Sequence, residues 1–530
     1  MELIITEFTP TICLNMIVKD ESHIIKETLH MLCKKINFSY WVICDTGSTD
    51  NTCQIIQDFF AEKNIPGELH ICEWTNFAVN RTLALKLAKD KTDLLFIFDA
   101  DDEIHGELVI PNNDKCDGYF LSFGTSAGIS YKRVLLINNR INWKYESVIH
   151  EYITCLEPKH VLKDLPGNYY VVSGRRGSRN KDPNKYLKDA EILRDEYYKA
   201  KQKNDRLYLR YGFYCANSYK DYGNNSEAIN WYKIVLSNEN WHQEKYMSCL
   251  QIYNCSKILN NEENGIYYLV EAFKYDPNRL ECVSHLIQYY AIRKEFKLAY
   301  LYYKYVQSYY ENNFLNDSNS TNHLLLFVEN DKSDFILPYY MIIVADAVKN
   351  EFTEATTTIY KMFEIIFTKK FPVFSDFFTG NLLYNLQFFI ENCMKLSENF
   401  INLFQTYINY LQDAGYDVYK HNFVHSFEKY GLVLKKIKKS SFSNEECMKS
   451  NKILFYTGYT NLPWNYTFSV SNALGGSETA VANLSRYFPK HYEIYVAGQV
   501  QEERIDNISY INLNTLQNIV KTTPFHTVIV

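Results

Sequence analysis

Asp99 and Asp101 are separated by one small residue, Ala100, so both carboxylates can reach a single point, and Asp102 and Glu103 follow at once. Carboxylate oxygens so placed suit a hard divalent cation, Mg²⁺ or Mn²⁺, whose remaining positions are filled by water and phosphate oxygens. These acids directly follow the apolar run Leu94-Leu-Phe-Ile-Phe98. An uninterrupted run that short reads as a parallel strand buried on both faces. The acids then sit at its C-terminal end, the edge where open α/β sheets bind ligands. A solvated acidic turn would look the same from this stretch alone. A phosphatase using an Asp-x-Asp nucleophile fits less well, because that motif belongs on the first strand and Glu103 holds a position where it wants Thr or Val.

The chain repeats the arrangement. Thr11-Ile-Cys-Leu-Asn-Met-Ile-Val18 is an apolar run ending in Lys19-Asp20-Glu21, and Tyr40-Trp-Val-Ile-Cys44 ends in Asp45. Ile24, Ile25, Leu29, Leu32 and Cys33 lie at helical spacing between them. Thr46-Gly-Ser-Thr-Asp-Asn51 follows Asp45, with Gly47 for a sharp turn and Ser48 or Thr49 to cap a helix through Ile55, Ile56 and Phe59. Leu69–Cys72 is a short third strand, and Thr82–Ala88 a helix feeding the strand before Asp99. Alternating strands and helices predict a parallel sheet with Asp20, Asp45, Asp99 and Asp101 on one edge. Carboxylates gathered there need a cation or donors to stay ionised. Arg81 is placed to return to the same edge, although a solvated helix-cap arginine reads alike.

Composition narrows the classes. The chain has 530 residues, room for about three domains. At 46% hydrophobic and 22% charged it is globular, and a net charge of −6 gives no support to a nucleic-acid partner. No run approaches the ~20 apolar residues of a membrane helix. No signal peptide is read at Met1-Glu2, and the 13 scattered cysteines form no CxxC pair, so a reducing cytoplasm is the expected home.

Together the motifs resemble family 2 glycosyltransferases with a GT-A fold. The residues that carry the likeness are Met16-Ile-Val-Lys-Asp-Glu21, Val42-Ile-Cys-Asp-Thr-Gly-Ser-Thr-Asp-Asn-Thr52, Asn76-Phe-Ala-Val-Asn-Arg81, Phe98-Asp-Ala-Asp-Asp-Glu103 and Trp143-Lys-Tyr-Glu-Ser-Val-Ile-His-Glu151. It implies a metal-dependent, inverting transfer of sugar from a nucleotide-sugar, a UDP-sugar first, to a hydroxyl on a glycan or protein acceptor. Carried over by position, it implies that Val18, Lys19, Asp20, Glu21, Asp45, Gly47, Arg81, Asp99 and Ala100 surround the nucleotide-sugar. Asp99, Asp101 and His150 would be the metal ligands for Mn²⁺ or Mg²⁺, and Glu151 or Asp102 the catalytic base. The sequence departs from the family at Asn76, where an acid is usual, at Thr82 (usually Asn) and at Ser147 (usually Gly). His150 and Glu151 cannot both face one site from a straight strand, so the pair is expected on a loop. Ser173-Gly-Arg-Arg-Gly-Ser-Arg179 resembles the family's segment that folds over the donor, with Arg175, Arg176 and Arg179 toward the diphosphate; a solvated linker reads alike.

Three domains are expected: residues 8–178, the α/β GT-A domain; 182–440, an all-α tetratricopeptide-like region; and 451–530, a partial Rossmann-like α/β domain. In the middle region the small residues Ala228, Gly265 and Ala299 are spaced 37 and 34 apart, near the ~34-residue tetratricopeptide period. Such repeats would hold an acceptor or a partner protein, or serve as scaffold. That helical tail, with the Asn, Lys, Ile and Tyr bias, resembles enzymes of giant DNA viruses. The last stretch, with Gly475-Gly-Ser-Glu-Thr479 opening a helix, resembles the first half of a GT-B glycosyltransferase, and it reads as truncated and inactive alone. The competing function is a non-catalytic sugar-nucleotide-binding scaffold whose repeats bind a partner.

Overall fold

The computed structural model describes residues 9–434, apart from 113–115, 125–127, 175, 317–324 and 371–375, and most of 450–529 outside 459–480 and isolated positions. It forms two compact units, Met1–Val433 and Leu434–Val530.

The first unit begins with the apolar runs. β1 (Ile12–Val18), β2 (Tyr40–Asp45), β3 (Gly67–Ile71) and β4 (Leu94–Ile97) pair in parallel in the order β3-β2-β1-β4. α1 (Ile25–Lys35), α2 (Thr52–Lys63) and α3 (Phe77–Ala88) are the crossovers. α1 buries Ile25, Leu29 and Leu32, and its Glu27 and Lys34–Lys35 sit at the ends that complement its dipole. α3 is tied to the sheet from within: the buried Asn15 amide on β1 donates to the carbonyls of Val42 and Ala84 at 3.1 Å each. A strand interior would not hold asparagine unless both N–H groups were satisfied.

The sheet is mixed, where the strand–helix alternation alone predicts a parallel one. Past β4 the chain runs through β5 (Glu103–Leu108), β6 (Gly118–Phe123), β7 (Ile129–Asn138), a separate hairpin of β8 (Trp143–Glu146) and β9 (Tyr152–Cys155), β10 (Leu162–Asp164) and β11 (Gly167–Val172), and the sheet continues from β4 in the order β7-β6-β11-β5, with β10 on β6. β7 is antiparallel to both β4 and β6. It joins the parallel half to strands connected by short turns, which carry no helical period to announce them.

Paired helices follow: α4 (Lys185–Gln202), α5 (Leu207–Asp221), α6 (Asn225–Leu236), α7 (His242–Ile258), α8 (Glu262–Glu271), α9 (Glu281–Ile292) and α10 (Phe296–Asn316). After them β12 (Val328–Glu329) returns to the sheet and pairs with β7. Arg279 fixes that return. Its guanidinium donates to the carbonyls of Leu326 (2.8 Å) and Phe327 (3.2 Å), to Gln243 and to Glu281, and lies 4.4 Å from the Tyr246 ring centroid. α11 (Leu337–Val348), α12 (Ala355–Lys369), α13 (Asp376–Leu396) and α14 (Phe400–Asp413) complete the unit. Among the described residues no helix is long and apolar enough to cross a membrane, and twelve cysteines are free thiols.

The second unit has a five-stranded sheet of β13 (Lys452–Gly458), β14 (Glu493–Gly498), β15 (Glu503–Ile505), β16 (Ile508–Asn512) and β17 (Thr527–Ile529). Its order is β15-β16-β14-β13-β17, parallel except for β15. The Gly475–Thr479 turn lies outside the described residues.

The regularly spaced small residues have a packing reason. A Cβ at Gly265 would stand 3.1 Å from both Tyr253 Cα and Ser256 Cβ, so α8 crosses α7 with no room for a side chain. Gly265→Val should therefore lower stability by ~1–3 kcal/mol through overpacking, read as a drop in the thermal unfolding midpoint; an unchanged midpoint would mean that α7 and α8 are not packed this closely.

Candidate active site at the acidic edge of the sheet

β1 and β2 end side by side, with Val18 opposite Asp45, and β4 ends along β1 with Ile97 opposite Asn15. The first two ends are zipped together. Asp45 accepts from the amides of Gly47 (3.1 Å) and Ser48 (2.9 Å) and from the Ser48 hydroxyl. Gly47 takes φ +100°, the left-handed conformation this turn needs. The Asp20 amide donates to Ser48 Oγ at 2.8 Å, and the Asp20 carboxylate accepts from the Thr49 amide at 2.7 Å. The Val18 carbonyl accepts from the Thr46 amide and hydroxyl, and the Glu21 amide donates to Thr52 Oγ1. Asp20 and Asp45 thus satisfy their own turns; Lys19 is exposed beside them.

Asp99 is held differently. Arg81, 6% exposed on α3, donates from Nη2 to Asp99 Oδ1 and from Nε to Glu151 Oε1, both at 2.6 Å. Arg133 on β7 donates to Asp99 Oδ2 at 3.3 Å. Burial would raise the Asp99 carboxyl, but the two guanidiniums outweigh it and hold it down at about 2. Ala100 is buried, and its carbonyl accepts from the Thr28 hydroxyl of α1. Nothing in the motif spacing announced Arg133. Its one signal is a pair of cations, Lys132 and Arg133, directly before the apolar run Val134-Leu-Leu-Ile137.

Beyond Asp99 the edge has more negative charge than partners. Burial, and then the neighbouring Asp99, raise Asp101, and the same causes push Asp102 up to about 7. Burial likewise pushes Glu21 up to about 7, with Asp101 adding to it. Asp102 Oδ2 and Glu21 Oε2 are buried without a hydrogen bond among the described residues. Arg133 Nη1 approaches Asp102 Oδ2 at 3.8 Å, and the hydrogen bonds these acids accept come from the loop after β11. The amides of Gly174, Gly177 and Ser178 donate to Asp102 (3.1 Å), Asp101 (3.2 Å) and Glu21 (3.2 Å). A Cβ at Gly177 would lie 2.8 Å from Asp101 Oδ2 and 3.3 Å from Glu21 Oε1, so both carboxylates face one small space. Arg176 pairs with Glu27 and Glu103, Arg179 with Asp189, and Arg175 lies outside the described residues.

His150 and Glu151 lie on the turn between β8 and β9, as expected of neighbours that cannot share a face of a straight strand. They part there. Glu151 goes to Arg81, its side chain 10% exposed. The His150 ring stacks on Tyr214 of α5 with centroids 4.4 Å apart, and its carbonyl accepts from Arg210 at 2.8 Å. The residue keeps an edge open to solvent. The crevice around its ring, and then Arg210, Arg179 and Lys185, still push the imidazole down to about 3. Three cations around that ring disfavour a fourth. Among the described residues no trio of His, Cys, Asp or Glu gathers as a metal site, so Asp99, Asp101 and His150 are not brought together as one.

The three departures from the family pattern are structural here. Asn76 caps α3, accepting from the Val79 amide at 2.9 Å. Thr82 Oγ1 accepts from the Tyr145 amide at 2.9 Å and so ties α3 to the hairpin. Ser147 sits at φ +80°, a conformation that glycine adopts freely, and bonds through Oγ to the Ile149 carbonyl.

Residues 13–112 match the family model described as Glycosyl transferase family 2. The chain carries a glycosyltransferase family 2 domain. The match takes in β1 through β5 and the whole acidic edge from Asp20 to Glu103. No curated protein matches the chain. Among solved structures, a mannosyltransferase from Pyrobaculum calidifontis in complex with GDP-Man and Mn²⁺ is similar at 12% identity and TM-score 0.27, over 50% of this chain and 88% of that one. TarS 1–349 of S. aureus in complex with UDP-GlcNAc is similar at 14% identity and TM-score 0.23, over 50% and 91%. At those scores neither donor nor acceptor of this glycosyltransferase domain is fixed by likeness.

The Arg81 bridge can be tested as a coupled unit. Arg81→Ala should cost ~3–5 kcal/mol, because it strands the largely buried Glu151 and leaves Asp99 with Arg133 alone. Asp99→Asn in the same chain should recover part of that loss, measured by urea unfolding. Losses that simply add would show that Arg81 and Asp99 do not share a bond.

Proposed function

We propose that this domain transfers a sugar from a nucleotide-sugar, a UDP-sugar first, to a hydroxyl of a glycan or protein acceptor, with a divalent cation and inversion at the anomeric carbon. The observation that carries the reading is the acid surplus at the strand ends. Asp101 and Glu21 face one small space, short of positive charge, inside a glycosyltransferase family 2 domain. Two carboxylates, completed by substrate phosphates and water, form the donor set that Mg²⁺ and Mn²⁺ take. A cation there would neutralise the charge that develops on the departing nucleoside diphosphate.

The chain's own residues would do the rest. Arg81 and Arg133 hold Asp99 rigid, and Asp99, with the Val18–Glu21 and Asp45–Gly47 turns, would face the nucleotide. The loop amides of Gly177 and Ser178 now occupy the bonds that a cation would take over, so donor binding must move them. For the base, the geometry supports Asp102 over Glu151. Glu151 is committed to Arg81 at 2.6 Å, which makes it a positioning residue, whereas Asp102 keeps one oxygen without a hydrogen bond, buried and 3.8 Å from Arg133 Nη1, which must be uncovered before it acts. A carboxylate so placed can take the acceptor's proton during a single displacement. We read the helical hairpins as tetratricopeptide-like repeats that present an acceptor or partner, and the second unit as a Rossmann-like half of GT-B type.

Asp101→Asn should abolish turnover and weaken UDP binding chiefly when Mn²⁺ is present. Calorimetry with and without Mn²⁺ reads this, and equal metal-dependent affinity in mutant and parent would remove Asp101 from the cation site. Asp102→Asn should cut transfer by ~10²-fold or more, the scale of a lost general base, and leave nucleotide affinity intact. Glu151→Gln should lose less, since glutamine still accepts from Arg81. The reverse order in initial transfer rates would return the base to Glu151.

A further inference from the structure

A cavity of about 300 Å³ lies beside the acidic edge, and nothing in the transfer chemistry above uses it. That volume is at the lower end of small-molecule sites. Its walls are the turn before α3, the β8–β9 turn and the start of α4. Trp74 and Ile192 stand at the mouth, 41% and 45% exposed, and Phe77 meets Trp74 edge-on with centroids 4.9 Å apart. The cavity surface is mainly apolar, with charged groups along one wall, and large apolar groups left this open are what a ligand would cover.

The polar wall is charged but already paired. Arg179 bridges to Asp189, which is 3% exposed, and Lys188 bridges to Asp182 at 2.6 Å. Lys185 donates to Asn180 Oδ1 at 2.6 Å. Asn180 in turn reaches Asp101 Oδ2 at 3.4 Å. One side chain therefore separates the cavity from the edge where the donor would react.

This chemistry selects an occupant. A phosphate or carboxylate ligand needs cations that are not engaged, and these are engaged by carboxylates or an amide. A hydrocarbon would bury the ion pairs without replacing the water they lose. A sugar ring can lay its C–H face on an indole, and its hydroxyls both donate and accept, so they can join an Asp–Lys or Asp–Arg pair without breaking it. We propose that this cavity binds one neutral sugar ring of the acceptor, with Trp74 as its platform, and aims the acceptor toward Asp101. The aiming rests on the transferase reading; the binding of the ring does not.

The test uses the full chain and two separate readouts. Saturation-transfer NMR is recorded with cellotetraose, chitotetraose, maltotetraose and mannotetraose, and calorimetry with UDP and GDP in the presence of Mn²⁺. At least one tetraose should bind, Trp74→Ala should weaken it by about tenfold or more, the scale of a lost aromatic contact, and Trp74→Phe should keep most of it. Nucleotide affinity should be the same in all three proteins. The inference is overturned if nucleotide binds and no tetraose does, if Trp74→Ala binds the tetraose as well as the parent, or if a Gly-Ser peptide binds at Trp74 in place of sugar. Loss of nucleotide affinity in Trp74→Ala would overturn it too, by putting Trp74 on the donor side. If neither nucleotide binds the parent, the transferase reading fails instead, and a Trp74-dependent tetraose signal would leave the cavity a sugar site.

Discussion

Arg81 is the constraint on which the site depends. One guanidinium, almost fully buried, bonds the end of β4 through Asp99 and the β8–β9 turn through Glu151. With Arg133 it holds Asp99 ionised, and a buried arginine could not stay without its two carboxylates, since burying an unpaired charge costs several kcal/mol. The planar fork matters as much as the charge: Nε and Nη2 point to different acids, which a lysine could not serve in the same geometry. Arg133 adds a second cation on Asp99 from the antiparallel half of the sheet. Through these bonds the mixed topology becomes functional, because β7 delivers a charge to an edge otherwise built by parallel strands.

The balance of charge then divides the edge in two. Around Asp99 the cations win and hold it ionised; one residue on, burial and the Asp99 charge win, and Asp101 and Asp102 are pushed the other way. Loop amides give Asp101 and Glu21 partial compensation at 3.2 Å each. A neutral N–H dipole offsets much less than a full cation does. The edge is in this sense unfinished: a divalent cation would supply the missing positive charge, and a diphosphate would supply that cation's remaining ligands.

How much of this could be read from sequence depended on range. The strand-end acids were legible because each follows an apolar run, and burial on both faces leaves such a run one use. Gly47, and the turn placement of His150 and Glu151, were legible from backbone geometry alone. Arg133 was not, because the antiparallel pairing that carries it to Asp99 spans 34 residues and leaves no local period. The bond from Glu151 to Arg81 spans 70 residues, and resemblance pointed Glu151 to catalysis when its partner was already within the fold. His150 was expected toward a metal, but Tyr214 and Arg210, from a helix with no visible link to the motif, hold its ring and carbonyl. Likewise β12, two residues long, is fixed by Arg279 rather than by any pattern of its own.

If a nucleotide-sugar reacts at this edge with a divalent cation, release of the nucleoside diphosphate reports it. The full chain is incubated with UDP- and GDP-sugars, with Mn²⁺ or with chelator, and the freed nucleotide is quantified by chromatography. Release is expected from at least one donor with Mn²⁺ and from none with chelator. Release that is equal in chelator, or absent from every donor while nucleotide still binds, would contradict it, the second outcome making this domain a binding platform and not an enzyme.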